Sequence, residues 1–216
     1  MMIALSPLKT KYIQMKKIIF LAFLLLGSVI TKASVSINND KDTLLTVFDE
    51  VNNRLLNDVQ GLSNEQVNFK PSAERWSIGQ CIEHITKTEG MLLGMVQEML
   101  KKPANPEMRS KIKGEDKQVL TMIEDRSKKF KAPDELQPSK TNYDLDELIK
   151  NLEKQRAMTL AFINQTTLES LRNHIMQTPT KDYADAYRSL LFIAGHSLRH
   201  TAQIEEVKTA PGYPSK

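Results

Sequence analysis

Residues 190–204 read LLFIAGHSLRHTAQI. Apolar residues recur here at helical spacing, and His196 and His200 stand four apart, so on an α-helix their imidazoles share one face. Stepping back from His196 by three and four gives Ile193 and Phe192, and stepping on from His200 by three and seven gives Gln203 and Val207. The pair therefore lies in an apolar seam, where an unpartnered polar group costs about 1–3 kcal/mol. A metal ion offsets that cost, because neutral imidazole is the commonest nitrogen ligand. The whole chain has four histidines in 216 residues, so two of them one turn apart point to a site. A third ligand is needed, and His84 is the leading candidate.

Working outward, the same periodicity appears in three earlier segments. Leu44, Phe48, Val51, Leu55 and Val59 define a helix over about 42–60 that ends at Gly61. Ser77 and Gln80 form a capping box with Trp76 just outside it, opening a helix whose apolar face is Ile78, Ile82, Ile85, Leu92, Val96 and Met99. His84 lies beside that stripe, on the face of Cys81, Thr88, Met91 and Met95. Pro103 and Pro106 end the element, and the charged stretch to Lys131 is either a short amphipathic helix around 119–123 or a long loop. Asp144 caps a third helix over 145–164 through Leu148, Leu152, Leu160 and Ile163, and the histidine helix runs over 183–208. No segment has a convincing strand pattern. Four amphipathic helices with spacers longer than tight turns predict an all-α four-helix bundle with crossover connections.

The N-terminus has a different composition. Lys16 and Lys17 precede an unbroken apolar run from Ile18 to Leu26, with Thr31 and Ala33 as small residues before a cut, which reads as a signal peptide over 15–33. Met15 is the expected start of translation and Ser34 the first mature residue. The run is short for a membrane span and is followed by Gly27 and Ser28, so no stable anchor is expected after cleavage. The net charge of +4 comes from this segment: five of the 30 basic residues and no acid lie in residues 1–33, leaving 25 basic against 26 acidic. Nucleic-acid binding is thereby disfavoured, since no basic stripe with interleaved aromatics is left. Residues 34–216 suffice for a single domain. With Cys81 as the one cysteine, no internal disulfide forms in a periplasmic or secreted setting.

Two stretches carry a family resemblance. GLSNEQVNFKPSAERWSIGQCIEHI over 61–85, followed after a long gap by LLFIAGHSLRHTAQI, resembles the DinB-like superfamily of four-helix metalloproteins, from the first helix to the end of the fourth. The resemblance implies a bundle with non-sequential helix neighbours and a divalent ion held by His84, His196 and His200. It also implies homodimerisation, and either thiol-dependent transferase or metal-dependent hydrolase chemistry. Export weakens the thiol chemistry, because small reduced thiols belong to the cytosol, whereas hydrolysis needs only water.

Three imidazoles leave an open position on the ion and suit zinc, nickel, iron or copper. No general base is evident, as spacing places only Gln203, Thr88 and Glu89 near the histidines. Gln203 either orients a ligand or binds substrate, or it bonds across the bundle. Among the remaining residues, Cys81 reads as a buried hydrophobe, His174 as a loop-packing or exposed imidazole and Arg199 as a surface ion-pair partner. Glu205 and Glu206 read as solvated surface, and Met91, Met95 and Met99 as core filling. The expected function is an exported metal-dependent hydrolase or transferase acting on a small molecule. The alternative is a non-catalytic helical bundle that binds a metal or ligand at the cell envelope.

Overall fold

The computed structural model describes residues 41–127 and 131–215. The expected leader over 1–33 lies outside the described residues.

Helix α1 (Lys41–Val59) buries all five residues of its predicted stripe, Leu44, Phe48, Val51, Leu55 and Val59. It ends where Gly61 takes a positive φ of 70°, a conformation that a side chain would disfavour. A short helix α2 (Asn64–Asn68) follows, opened by a capping box of Ser63 and Gln66. Helix α3 (Ile78–Leu100) starts with the predicted box, Ser77 accepting from Gln80 N while the Gln80 side chain accepts from Ser77 N. Its buried stripe contains Leu93, with Leu92 only half-buried, a one-residue correction to the predicted face.

After a 3-10 turn (Pro106–Lys111), the charged stretch forms helix α4 (Asp116–Glu124), so of the two readings the amphipathic helix is realised. A second 3-10 turn (Asp134–Leu136) precedes helix α5 (Leu145–Gln165), whose first turn is capped by the Asp144 carboxylate at Glu147 N. Along α5 the inward stripe is Leu148, Leu152, Arg156, Thr159 and Ile163, so two polar residues stand where the apolar pattern pointed to Leu160.

The short helix α6 (Leu168–Asn173) leads into an antiparallel hairpin of β1 (Ile175–Gln177) and β2 (Tyr183–Asp185), pairing Ile175 with Asp185 and Gln177 with Tyr183. This corrects the strandless expectation. Asn105 satisfies the backbone of Ile175 in both directions, at 2.8 and 3.0 Å, which lets so short a strand persist. Helix α7 (Ala186–Lys208) begins three residues later than predicted, because the buried Asp185 carboxylate accepts from Arg188 N and fixes the start there. Asp185 also pairs with Arg172, which with Arg188 brackets Asp116 at 2.7 Å each. This ion cluster binds the starts of α4 and α7 to the end of α6.

The four long helices pack in the cyclic order α1, α7, α3, α5. Chain neighbours α1 and α3 are diagonal, as are α5 and α7, which makes the connections between them crossovers. Arg156 crosses the diagonal: its Nη2 reaches Ser197 Oγ on α7 at 3.2 Å and the Glu89 carboxylate on α3 at 3.0 Å. One end of the bundle core is apolar, built from Leu55, Ile78, Ile82, Ile85, Leu152 and Ile204. Among the described residues no helix is long and apolar enough to cross a membrane.

Candidate metal centre

The α3–α7 contact brings the predicted histidines together. Ser77 fixes the register of α3, so that His84 points toward α7 two turns later, while the four-residue spacing on α7 turns His196 and His200 toward α3. The ring centroids of His84 lie 5.0 Å from His196 and 4.6 Å from His200, and the α7 pair is 4.5 Å apart. One nitrogen from each ring falls within 4.8 Å of the other two. The Nε2 atoms of His84 and His196 are 3.2 Å apart, close to the ~3.3 Å between two ligands of one tetrahedral ion with metal–nitrogen bonds of about 2.0–2.1 Å.

The far side of two rings is already engaged. His84 Nδ1 donates to the carbonyl oxygen of Leu136 at 2.8 Å, and His200 Nδ1 donates to Gln203 Oε1 at 2.9 Å. In a neutral imidazole a proton on Nδ1 leaves the lone pair on Nε2, so both rings are held in a ligating tautomer. Leu136 belongs to the 3-10 turn between α4 and α5. Gln203, of the roles open to it, is seen to orient a histidine.

Burial also keeps the rings neutral. His196 is lowered to about 3 and His200 to about 2, first by burial and then by the neighbouring imidazoles, and burial lowers His84 as well. Trp76 closes one flank, its ring 4.8 Å from His84 and 5.9 Å from His200. His196 and Trp76 are half-buried, whereas His84 and His200 are buried. Such a donor set suits a divalent ion with a coordination position left over.

The other candidates fall elsewhere. Cys81 is fully buried, its thiol pushed up to about 12 by burial, and among the described residues the one metal-capable cluster is the three histidines. Glu89 is spent on Arg156 and on Thr159, which donates to it at 2.7 Å. His174 packs in a loop, its two nitrogens facing the carbonyls of Ser170 and Lys102. Arg199 is not simply a surface ion-pair partner: it donates to the carbonyls of Ile123 and Asp125 at the end of α4. Glu206 is exposed, as expected of solvated surface, and grips Arg126 through both oxygens at 2.7 and 2.9 Å. Met99 is buried, as expected, whereas Met91 and Met95 are exposed, which corrects their reading as core; the three line, with Met176, a cleft of about 810 Å³ near the hairpin.

Three features near the triad escaped the sequence reading. Trp76 was legible as a cap neighbour but not as a wall of the site. Arg126 comes from the segment after α4 and donates to Gln203 Oε1 at 3.3 Å. The Leu136 carbonyl is backbone and leaves no signature in residue type.

The profile of the DinB superfamily matches residues 48–204. The chain belongs to the DinB superfamily. Among its relatives is YuaE of Bacillus subtilis (strain 168), an uncharacterised protein, 28% identical over 164 residues that make up 76% of this chain and 96% of YuaE. A similar solved structure is YfiT from Bacillus subtilis, described as a probable metal-dependent hydrolase with an unusual four-helix bundle topology. It aligns with a TM-score of 0.55 at 18% identity, covering 83% of this chain and 92% of YfiT. At that identity the likeness speaks for the fold. The crossover ring of α1, α7, α3 and α5 is thus a DinB-superfamily bundle.

Proposed function

We propose that this protein is an exported metal-dependent hydrolase acting on a small molecule, with His84, His196 and His200 holding a divalent ion. The observation that carries the reading is the 3.2 Å approach of His84 Nε2 to His196 Nε2 while Leu136 and Gln203 occupy Nδ1 of His84 and His200. The YfiT description supports the hydrolytic branch, and an exported setting favours water over a cytosolic thiol as acceptor. Lys16, Lys17 and the apolar run behind them support export, and the family resemblance supports a homodimer.

A divalent ion bound there supplies Lewis acidity to a substrate or to water. The chain's own residues do the rest. The three imidazoles stay neutral through burial, and the Leu136 carbonyl and Gln203 hold two of them in the tautomer that presents Nε2. Trp76 offers a flat apolar wall beside His84 and His200, suited to packing against a small substrate's apolar part.

A second reading, a non-catalytic metal-binding bundle, is favoured by one observation: the acids closest in sequence to His84 are committed elsewhere. Glu83 binds Tyr143 Oη and Ser139 N, and Glu89 binds Arg156 and Thr159.

The test uses mature protein without a polyhistidine tag. One divalent ion per chain is expected by elemental analysis, lost in His196→Ala, together with metal-dependent turnover of a panel of small esters and amides. Substoichiometric metal and unchanged affinity in His196→Ala would overturn the metal site. Full metal with no turnover across the panel favours the binding reading.

A further inference from the structure

The orientation of one side-chain amide decides whether His200 can serve as a ligand. Gln203 Oε1 accepts from His200 Nδ1, so the proton sits on Nδ1 and the lone pair on Nε2. Were the amide flipped, its NH2 group would face Nδ1 and favour the opposite tautomer, with the proton on Nε2. Flipping a glutamine costs little unless a neighbour distinguishes its two ends.

We propose that Arg126 is that neighbour, a positioning residue that donates to Gln203 Oε1 and thereby locks His200 in the tautomer that presents Nε2 to the site. A guanidinium carries five donors and no acceptor, so it tolerates the amide oxygen and rejects the NH2 group. Arg126 Nη1 lies 3.3 Å from Gln203 Oε1, and the same oxygen takes the His200 proton at 2.9 Å. Arg126 is itself held: Nε and Nη2 engage the two carboxylate oxygens of Glu206, one turn beyond Gln203 on α7. Arg75 adds a contact to the same carboxylate at 3.4 Å. Orientation therefore passes from Glu206 to Arg126, to Gln203 and to His200, and binds the segment after α4 to the site. A bidentate pair of this kind fixes a guanidinium in direction as well as position.

This inference rests on the metal reading of the triad, yet its sign separates it from simple electrostatics. Removing a positive charge beside a cation site strengthens cation binding, whereas losing the tautomer lock weakens it.

The test combines ¹⁵N-histidine NMR of the metal-free protein with Zn²⁺ titration of the full mature chain, in wild type, Arg126→Met, Gln203→Glu and the double variant. Wild type is expected to show His200 in a single tautomer protonated at Nδ1, and Arg126→Met a mixture, with Zn²⁺ affinity lower by about tenfold. In Gln203→Glu both side-chain oxygens accept, so no flip is available, and adding Arg126→Met is expected to leave affinity unchanged or tighter, because only the loss of a nearby positive charge then acts. A single Nδ1-protonated tautomer in Arg126→Met, unchanged or tighter Zn²⁺ binding there, or equal losses in both backgrounds overturns the proposal. If the tautomers behave as expected but wild type binds no Zn²⁺, the metal reading fails and the orienting role of Arg126 stands. Circular dichroism of each variant confirms that the comparison is between folded chains.

Discussion

Trp76 lies over His200 with the two ring planes 21° apart and their centroids separated by 5.9 Å. It is the single tryptophan of the chain, so its emission reports on this site alone. Titration with Co²⁺, a short-range quencher, is expected to extinguish most of that emission with an endpoint at one equivalent. His200→Ala removes both the ligand and the endpoint. Quenching that never saturates, or that survives in His200→Ala, would place the ion elsewhere.

The metal-free protein is expected to lose stability on mild acidification. His196 and His200 titrate at about 3 and about 2 in the folded chain, against 6.5 when exposed. Between those values the unfolded chain binds more protons, so stability rises with pH. The contribution is complete above about pH 6.5 and is lost as pH falls toward 3, at up to about 1.4 kcal/mol per pH unit for each histidine. Glu83, lowered from 4.5 to about 2 by its hydrogen bonds to Ser139, Tyr143 and Lys87, adds the same sign only below 4.5. Urea midpoints of chelated protein should therefore fall between pH 7 and pH 5, and His196→Asn/His200→Asn should flatten that slope.

Glu89 and Arg156 form a pair whose side chains are 1% and 4% exposed. Burial raises the carboxyl and lowers the guanidinium, each opposing its charged form, and Arg156 Nε and Nη1 have no hydrogen-bond partner. Removing one partner leaves an uncompensated buried charge, so Glu89→Ala is expected to cost about 3–5 kcal/mol in chemical denaturation. Replacing both by methionine is expected to cost much less, since breaking the pair is worse than doing without it. Equal losses in the single and double variants would show that the pair is net stabilising.

Gly79 is required by contact. A Cβ there would stand 2.7 Å from the Tyr143 ring, whose hydroxyl binds Glu83 at 2.6 Å. Gly79→Ala is expected to destabilise by about 1–3 kcal/mol as the ring is pushed away. Tyr143→Leu/Gly79→Ala should recover part of that loss, measured by thermal unfolding.

What could be read from the sequence follows from how far each signal reaches. The caps Ser77 and Asp144 act on amides three residues away, and both were legible. The histidine spacing is local to one helix, and His84 was recoverable because its neighbours Trp76 to Ile85 carry the family pattern. The hairpin was hidden because strands of three residues are too short for a period, and Tyr183–Asp185 runs directly into the pattern of α7. Arg156 and Thr159 broke the expected stripe of α5 because their partners Glu89 and Ser197 lie on other helices. Arg126 and Leu136 reach the triad through chain folding alone, one by a charge that looks like any surface arginine and the other by a carbonyl.

The pairing of His84 with His196 also joins positions 112 residues apart. An ion gripped by both would act as a removable cross-link, restricting the unfolded chain much as a disulfide does, for which a loop of about 100 residues is worth roughly 4.7 kcal/mol. In a chain with one thiol, such a staple would be indifferent to the redox state of its surroundings and sensitive instead to chelators.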